Sequence, residues 1–328
     1  MVLADRMDTL SESMTIAIST LARELKDSGK DILSFSAGEP DFDTPQVIKD
    51  EAINAINKGF TKYTAVAGIA ELKQAICDKL ERENGLIYSP SEVIVNNGAK
   101  HSLFNIFQSL ISDGDEVIIP APYWVTYPEL TKYSGGTVVE IATDDKNNFK
   151  ISPQDLKDVI TSKSKMLILT TPSNPTGSVY TKEELTDIAK VLEGTNITVV
   201  SDEMYEKLIY DNLKFTAVAS INDDMLNRTI TVNGLSKSVA MTGWRFGYCA
   251  TKSKDLMKAM IKLQSQSTSN INSITQKASI TGLDGSADKD VEMMRVEFEK
   301  RRDIACELFN RIDGLSVVKP NGAFYLYV

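Results

Sequence analysis

Seven short apolar runs, several of them continuous in Val, Ile and Leu instead of alternating with polar residues, punctuate the chain between residues 92 and 250. They are EVIVNN (92–97), EVIIP (116–120), TVVEI (137–141), MLILTT (166–171), ITVVSDE (197–203), RTITVN (228–233) and RFGYCA (245–250). A strand that is apolar on both faces has to be covered on both, which is the situation of strands in a parallel sheet flanked by helices. Segments with helical spacing lie between the runs. One is SPQDLKDVI; another, TKEELTDIAKVLEG, opens with a Thr able to cap and a Glu three residues on, and closes at Gly194. The expected fold class is therefore α/β, three layers around a mostly parallel seven-stranded sheet. The ends of the chain lack this alternation. Residues 1–45 are expected to form an N-terminal arm and part of a small domain, 46–288 a large domain, and 289–328 the start of a smaller α+β domain, which reads as incomplete.

Composition then removes whole classes of function. A chain of 328 residues with 42% hydrophobic content can bury a large core. Its net charge of -9, with acidic and basic residues intermixed, leaves no basic stripe to follow a phosphate backbone, so nucleic acid is not expected as a partner. Cys77, Cys249 and Cys306 are far apart and without metal-ligand spacing, which suggests neither disulfides nor zinc and fits a reducing compartment. MVLADRMDTLSES carries no apolar leader, and no stretch approaches the roughly 18 uninterrupted apolar residues of a membrane span, so a cytoplasmic location without membrane association is expected. The single histidine, His101, opens the helical pattern HSLFNIFQSL and reads as a helix-end residue, not as part of a triad.

In open α/β sheets ligands bind beyond the carboxyl ends of the strands, so the residues that follow each run carry the information. After EVIV comes NNGAK, a glycine turn into a helix whose free N–H groups suit an anion, although many helices begin this way. After MLILTT comes PSNPTG, where Asn174 stands between two prolines; alone it also reads as an ordinary Asx turn. Asp202 ends a buried run, with Glu203 and Tyr205 behind it, and a buried aspartate calls for a cationic partner. After RTITVN comes VNGLSKSVAMTGWRFGY, in which Gly234, Ser236 and Ser238 leave room around Lys237, and Arg245 is placed to hold an anion. A lysine amine in such a pocket can form a Schiff base. An amine for an aldehyde, a carboxylate for a ring nitrogen, donors for a phenolic oxygen and an anion site for a phosphate are what pyridoxal 5'-phosphate requires.

GLSKSVAMTGWRFG (234–247) resembles the lysine-site signature of the class I aminotransferases, which depend on pyridoxal phosphate. SFSAGEPDFDTP, KYTAVAGIAELKQAI, APYWVTYPE, PSNPTG and SDEMYE follow the order and spacing of that family, from about residue 3 to the last residue. The AGEPDF and MTGWR segments are similar to those of its bacterial aspartate aminotransferase branch. The resemblance implies fold type I, a homodimer with active sites at the subunit interface, and ping-pong transfer of the amino group of L-aspartate to 2-oxoglutarate. It implies catalytic roles for Lys237, Asp202 and Tyr205: Lys237 as the lysine bonded to the cofactor and the general base, Asp202 as the partner of the ring nitrogen. Tyr205 and Asn174 match the residues that bond the phenolic oxygen, and Trp124 the aromatic stacked on the ring. Gly98, Ala99, Lys100, Ser236 and Arg245 match the phosphate site, with Tyr63 reaching in from the other subunit. Gly38, Trp124, Asn174 and Lys100 are the expected substrate contacts. Lys100 reads equally as a partner for the distal carboxylate of dicarboxylic substrates or as one more phosphate ligand.

The alternatives at this point are an aminotransferase of aromatic or broad specificity, or a β-elimination lyase or synthase on the same fold. A regulator's sensor domain would need an attached basic helix-turn-helix and is not expected. Some relatives also use prephenate, a trait linked to a basic residue near the N-terminus where this chain has Ser11, so little prephenate activity is expected. The family continues beyond NGAFYLYV and there supplies an arginine for the substrate α-carboxylate. Arg295, Arg301, Arg302 and Arg311 do not match that position, and with YLYV reading as an unfinished strand the chain is expected to be a fragment, or else a natural short form, that transaminates poorly or misfolds.

Overall fold

A computed structural model describes residues 2–12, 14–35 and 38–328. The seven apolar runs form the seven strands of one sheet: β1 (Val93–Asn97), β2 (Glu116–Ala121), β3 (Thr137–Ala142), β4 (Ser164–Thr170), β5 (Thr198–Asp202), β6 (Thr229–Gly234) and β7 (Phe246–Ala250). Their order is β1-β7-β6-β5-β4-β2-β3. β7 runs antiparallel to both β1 and β6, while the remaining pairs are parallel. The reversal has a local cause. A parallel return needs a crossover of a dozen or more residues, usually with a helix, and the link from β6 to β7 holds only a short 3-10 turn, Thr242–Trp244. That link carries Lys237.

Alternate residues of the central strands enter separate cores, as the two-residue period of a strand demands. Ile168, Val200, Ile230 and Val232 face a core shared with Leu103, Ile106, Phe107 and Tyr127. Leu167, Leu169 and Val199 face the opposite core, under the helix Lys182–Leu192, and Tyr248 and Ala250 meet the helices Ala70–Asn84 and Ser273–Leu283. The result is the expected three-layer sandwich. The helix Lys182–Leu192 starts as its sequence requires: the Thr181 hydroxyl accepts from the Glu184 N–H at 3.2 Å, the Glu184 carboxylate accepts from the Thr181 N–H at 2.8 Å, and Gly194 follows the helix at φ 74°.

Two readings of the sequence need correction. YLYV forms no strand; Gly322 makes a single bridge to Ile209, and beyond it the chain is held by ring packing, with Phe324 stacked 5.1 Å from Phe298 and edge-on to Tyr205 at 5.6 Å. Aromatic contacts here replace the ladder that a strand would need. Arg245 lies outside β7, in the left-handed conformation at φ 57°, which turns its side chain back over the start of the helix Ala99–Leu110. Among the described residues no helix is long and apolar enough to cross a membrane.

Candidate active site

The carboxyl ends of β1, β4, β5 and β6 and the start of β7 meet at one edge of the sheet, and a cavity of about 670 Å³ opens there. Gly38, Ala99, Lys100, Trp124, Asn174, Asp202, Tyr205, Ser236, Lys237 and Arg245 all line it. Gly98 adjoins it through Arg245, and Tyr63 stands apart, 92% exposed on the surface.

Lys237 is aimed into this cavity because the residues around it cannot leave the core. Leu235, Val239 and Met241 are buried under the helices of the opposite face, which pins the loop and leaves the lysine pointing the other way. Its Nζ donates to the Gly38 carbonyl and lies 5.6 Å from the Phe324 ring and 6.0 Å from the Tyr205 ring. Burial pulls the amine down to about 8, assisted by Arg245 and opposed by Glu39 and Asp202. An amine so placed exchanges its proton near neutral pH, as a nucleophile or general base must.

Asp202 is 4% exposed at the end of β5. Its carboxylate accepts from the Tyr127 hydroxyl at 2.8 Å and from the Met204 N–H at 3.3 Å. The cation expected beside it is not supplied by the chain: among the described residues no lysine or arginine lies within ion-pairing distance. Burial therefore raises the carboxyl above its ordinary value, against the opposing pull of Tyr127, Met204 and the Lys237 charge. Tyr205 shares a 2.5 Å hydroxyl contact with Tyr325, and burial holds both phenols protonated.

Gly98 and Arg245 form the second half of the site. Gly98 takes φ 83°, and a Cβ there would come within 2.4 Å of the Arg245 guanidinium, so glycine is required for the arginine to lie across the helix start. The Arg245 guanidinium donates to the Thr242 carbonyl at 3.0 Å. Lys100 Nζ sits 4.9 Å from the Trp124 ring centre, and desolvation followed by the Arg245 charge lowers it. Two cations converge on the free N–H groups of a helix start, an arrangement suited to a multiply charged anion. Among the described residues the side chains of Asn174, Ser236 and Lys100 make no hydrogen bond to protein, which leaves them able to bond a ligand; Asn174 forms no Asx turn. His101 is apart from this chemistry, its Nδ1 accepting from the Asn97 N–H at 3.1 Å.

Several residues of the wall carry no local signature in the sequence. Tyr127 lies in APYWVTYPE but was read only as part of that motif; its value comes from facing the end of β5 one turn after Trp124. Tyr325 was assigned to a strand, and nothing local marked its hydroxyl as the partner of Tyr205. Thr170, Met204, Glu39 and Thr242 also line the cavity.

Behind the site, Glu203 is fully buried on the other face of the sheet. Its Oε1 accepts from the Ser201 hydroxyl at 2.8 Å and the Val218 N–H at 3.2 Å. Burial, then the neighbouring Glu206 charge, raises its carboxyl from 4.5 to about 8, opposed by Ser201, Lys79 and Val218. The folded state thus keeps a proton that the unfolded state releases. This contribution to stability is complete below the ordinary value and is lost as pH rises through about 8. Glu203→Gln should lose that dependence: from pH 5 to pH 8 its melting temperature should gain on the parent's by about 2 °C or more, read by calorimetry at each pH. A constant difference across the range would show that Glu203 titrates normally.

Comparison with known proteins extends the description. A sequence profile described as "Aminotransferase class I and II" matches residues 30–328. The chain is 49% identical over 324 residues to an aspartate aminotransferase of Bacillus sp. (strain YM-2), covering 99% of this chain and 82% of that protein. It is 46% identical to an aspartate/prephenate aminotransferase of Cereibacter sphaeroides, covering 99% and 81%. The structure superposes with a TM-score of 0.96 and 41% identity on the aspartate aminotransferase from Thermus thermophilus with maleate, covering 99% of this chain and 84% of the other.

Proposed function

The chain belongs to the class I and II aminotransferases, and from that premise we propose that it transfers the amino group of L-aspartate to 2-oxoglutarate, with pyridoxal 5'-phosphate held in the cavity around Lys237. The observation that carries this reading is the convergence of Lys237, Asp202, Tyr205, Asn174 and Arg245 on one cavity. The residues fit the group: the Gly98 cradle under Arg245 suits its phosphate, and the free Asn174 amide with the Tyr205 hydroxyl suits its phenolic oxygen.

When bound, pyridoxal phosphate supplies an aldehyde that links to amines and a protonated ring that accepts electrons from the substrate Cα. The chain supplies the rest. Lys237 would be the amine that holds the aldehyde and the base that moves the proton at the substrate Cα, for which an amine near 8 is well matched. Asp202, held by Tyr127, would keep the ring nitrogen protonated; a positive charge there would also relieve the cost of burying its carboxylate. Arg245, Ser236, Lys100 and the N–H of Ala99 would hold the phosphate, with Gly98, whose own N–H donates to the Asn96 carbonyl at 2.8 Å, leaving room for it beneath Arg245, and Trp124 would pack against the ring. In the same reading two copies assemble so that the exposed Tyr63 of one completes the phosphate site of the other. Residues 46–288 then form the cofactor domain, with 1–45 and 289–328 contributing to a smaller one.

For the substrate, the Thermus thermophilus structure with maleate, a dicarboxylate, supports aspartate and glutamate. Lys100 is then the candidate for the distal carboxylate. Lys100→Ala should cut kcat/KM for aspartate about tenfold more than for an apolar amino acid, and equal losses would make Lys100 a phosphate ligand alone. The assay that tests the whole reading mixes L-aspartate with 2-oxoglutarate. Oxaloacetate and L-glutamate formed in equal amounts support it; pyruvate or ammonia instead would identify a lyase. Prephenate used as readily as 2-oxoglutarate would overturn the expectation drawn from Ser11, whose N–H donates to Glu129 at 2.6 Å and which brings no charge.

A further inference from the structure

On the face of the sheet away from the cavity lies a buried charge cluster that the reaction above does not use. Lys79, on the helix Ala70–Asn84, and Glu206, next to Tyr205, form an ion pair whose side chains are only 4% and 8% exposed. Lys79 Nζ also donates to Asn84 Oδ1 at 2.8 Å, and Asn84 Nδ2 donates to the second oxygen of Glu206 at 2.9 Å. The first oxygen of Glu206 accepts from Asn233 Nδ2 at 2.7 Å, and Asn233 Oδ1 accepts from the Gly234 N–H at 2.7 Å. The carboxylate is thus bonded on three sides. The Asn233 amide is held at both ends, so its orientation is fixed.

The position of this cluster gives it meaning. The last ladder bond between β5 and β6 runs from the Glu203 N–H to the Val232 carbonyl at 2.9 Å. Beyond it the two segments part, one carrying Tyr205 and the other Lys237, and the Glu206–Asn233 bond spans the gap. Buried ion pairs are commonly no more stabilising than apolar side chains of similar volume, because desolvation offsets their attraction. A pair in this place therefore calls for an account other than stability.

We infer that Glu206 is a positioning residue: anchored by Lys79 and Asn84, it sets through Asn233 the placement of the Lys237 segment relative to Tyr205. This rests on the roles given to those two residues above. A displacement of the reacting amine by a fraction of a bond length lowers the rate of a step that needs close alignment, and leaves binding by the phosphate and carboxylate contacts nearly intact. The effect should therefore fall on kcat and not on KM.

The test uses the full chain loaded with pyridoxal phosphate, with borohydride fixation on Lys237 counting the active sites. Glu206→Gln and Asn233→Ala should each lower kcat per fixed cofactor about tenfold with KM within about threefold, and move the pH midpoint of the bound cofactor's absorbance by about half a unit. Lys79→Met combined with Glu206→Met removes both charges together; it should melt within about 2 °C of the parent and still show the lowered kcat and the moved midpoint. Variants that melt earlier but keep the parent's kcat per cofactor and absorbance midpoint would show a purely structural cluster and overturn the inference. A parent protein that fixes no cofactor on Lys237 would overturn the earlier reading and this one with it, whereas a parent that does, beside unchanged variants, would overturn this one alone.

Discussion

Lys237→Ala is expected to abolish amino-group transfer, with kcat lower by about ten-thousandfold or more, in protein that folds as well as the parent. The loss is large because one amine has two duties. In the proposed function it both forms the resting bond to the cofactor and moves the proton at Cα, a general-base contribution of about 10²- to 10⁴-fold by itself. Stability should not suffer, and the sign follows from the depressed amine. Its value in the folded state, about 8, lies below the ordinary 10.5, so the folded chain gives up this proton more readily than the unfolded one. The contribution of such a group is complete above its ordinary value and is lost as pH falls through about 8, so removing the amine at pH 7 costs nothing on this account. Lys237→Arg is the useful control, because a guanidinium keeps the charge but does not deprotonate in this range. Steady-state rates with melting temperatures for parent and both variants check the prediction; turnover within tenfold of the parent in Lys237→Ala would remove Lys237 from the chemistry.

Asp202→Ala should retain the cofactor and lose about a thousandfold in kcat. In the proposed function the phosphate is held by other residues, around Gly98 and Arg245, and Lys237 remains to form the covalent bond. What disappears is the carboxylate proposed to keep the ring nitrogen protonated, and electrostatic groups of this kind are commonly worth about 10²- to 10³-fold. Tyr127→Phe should be milder, about tenfold, since it removes one neutral donor from Asp202 and leaves the Met204 N–H in place. Cofactor content by absorbance and kcat by coupled assay separate binding from rate. Near-normal turnover in Asp202→Ala would show that this carboxylate does not face the ring.

The contrast between these two residues and their supports shows what a single sequence can disclose. All seven strands are legible as short apolar runs, most of them buried as a strand covered on both faces requires, and residues just past the runs of β1, β2, β4, β5 and β6 line the cavity. Lys237 stood out because small residues surround it between two such runs. Arg245 was placed inside β7 because RFGYCA reads as one run; its left-handed turn over Gly98 depends on a neighbour almost 150 residues away and has no local signature. Tyr325 was misread for a related reason. YLYV has strand composition, and only the packing of Phe324 and Tyr325 against Tyr205 and Phe298 decides otherwise. The supports of Asp202 and Glu206 were equally hidden, since Tyr127 lies 75 residues from the first and Lys79 lies 127 from the second. Local pattern exposes the residues that end strands, whereas the residues that hold them in place are brought there by the fold.

Reduction of the loaded protein with borohydride, followed by peptide mapping, tests whether Lys237 bonds pyridoxal phosphate in this cavity. Its amine lines the cavity and is lowered by burial to about 8. The account predicts one pyridoxyl group per chain, on the peptide containing GLSKSVAMTGWR and on Lys237 within it. A stable pyridoxyl group on Lys100 or on a surface lysine, with Lys237 unmodified, would contradict it.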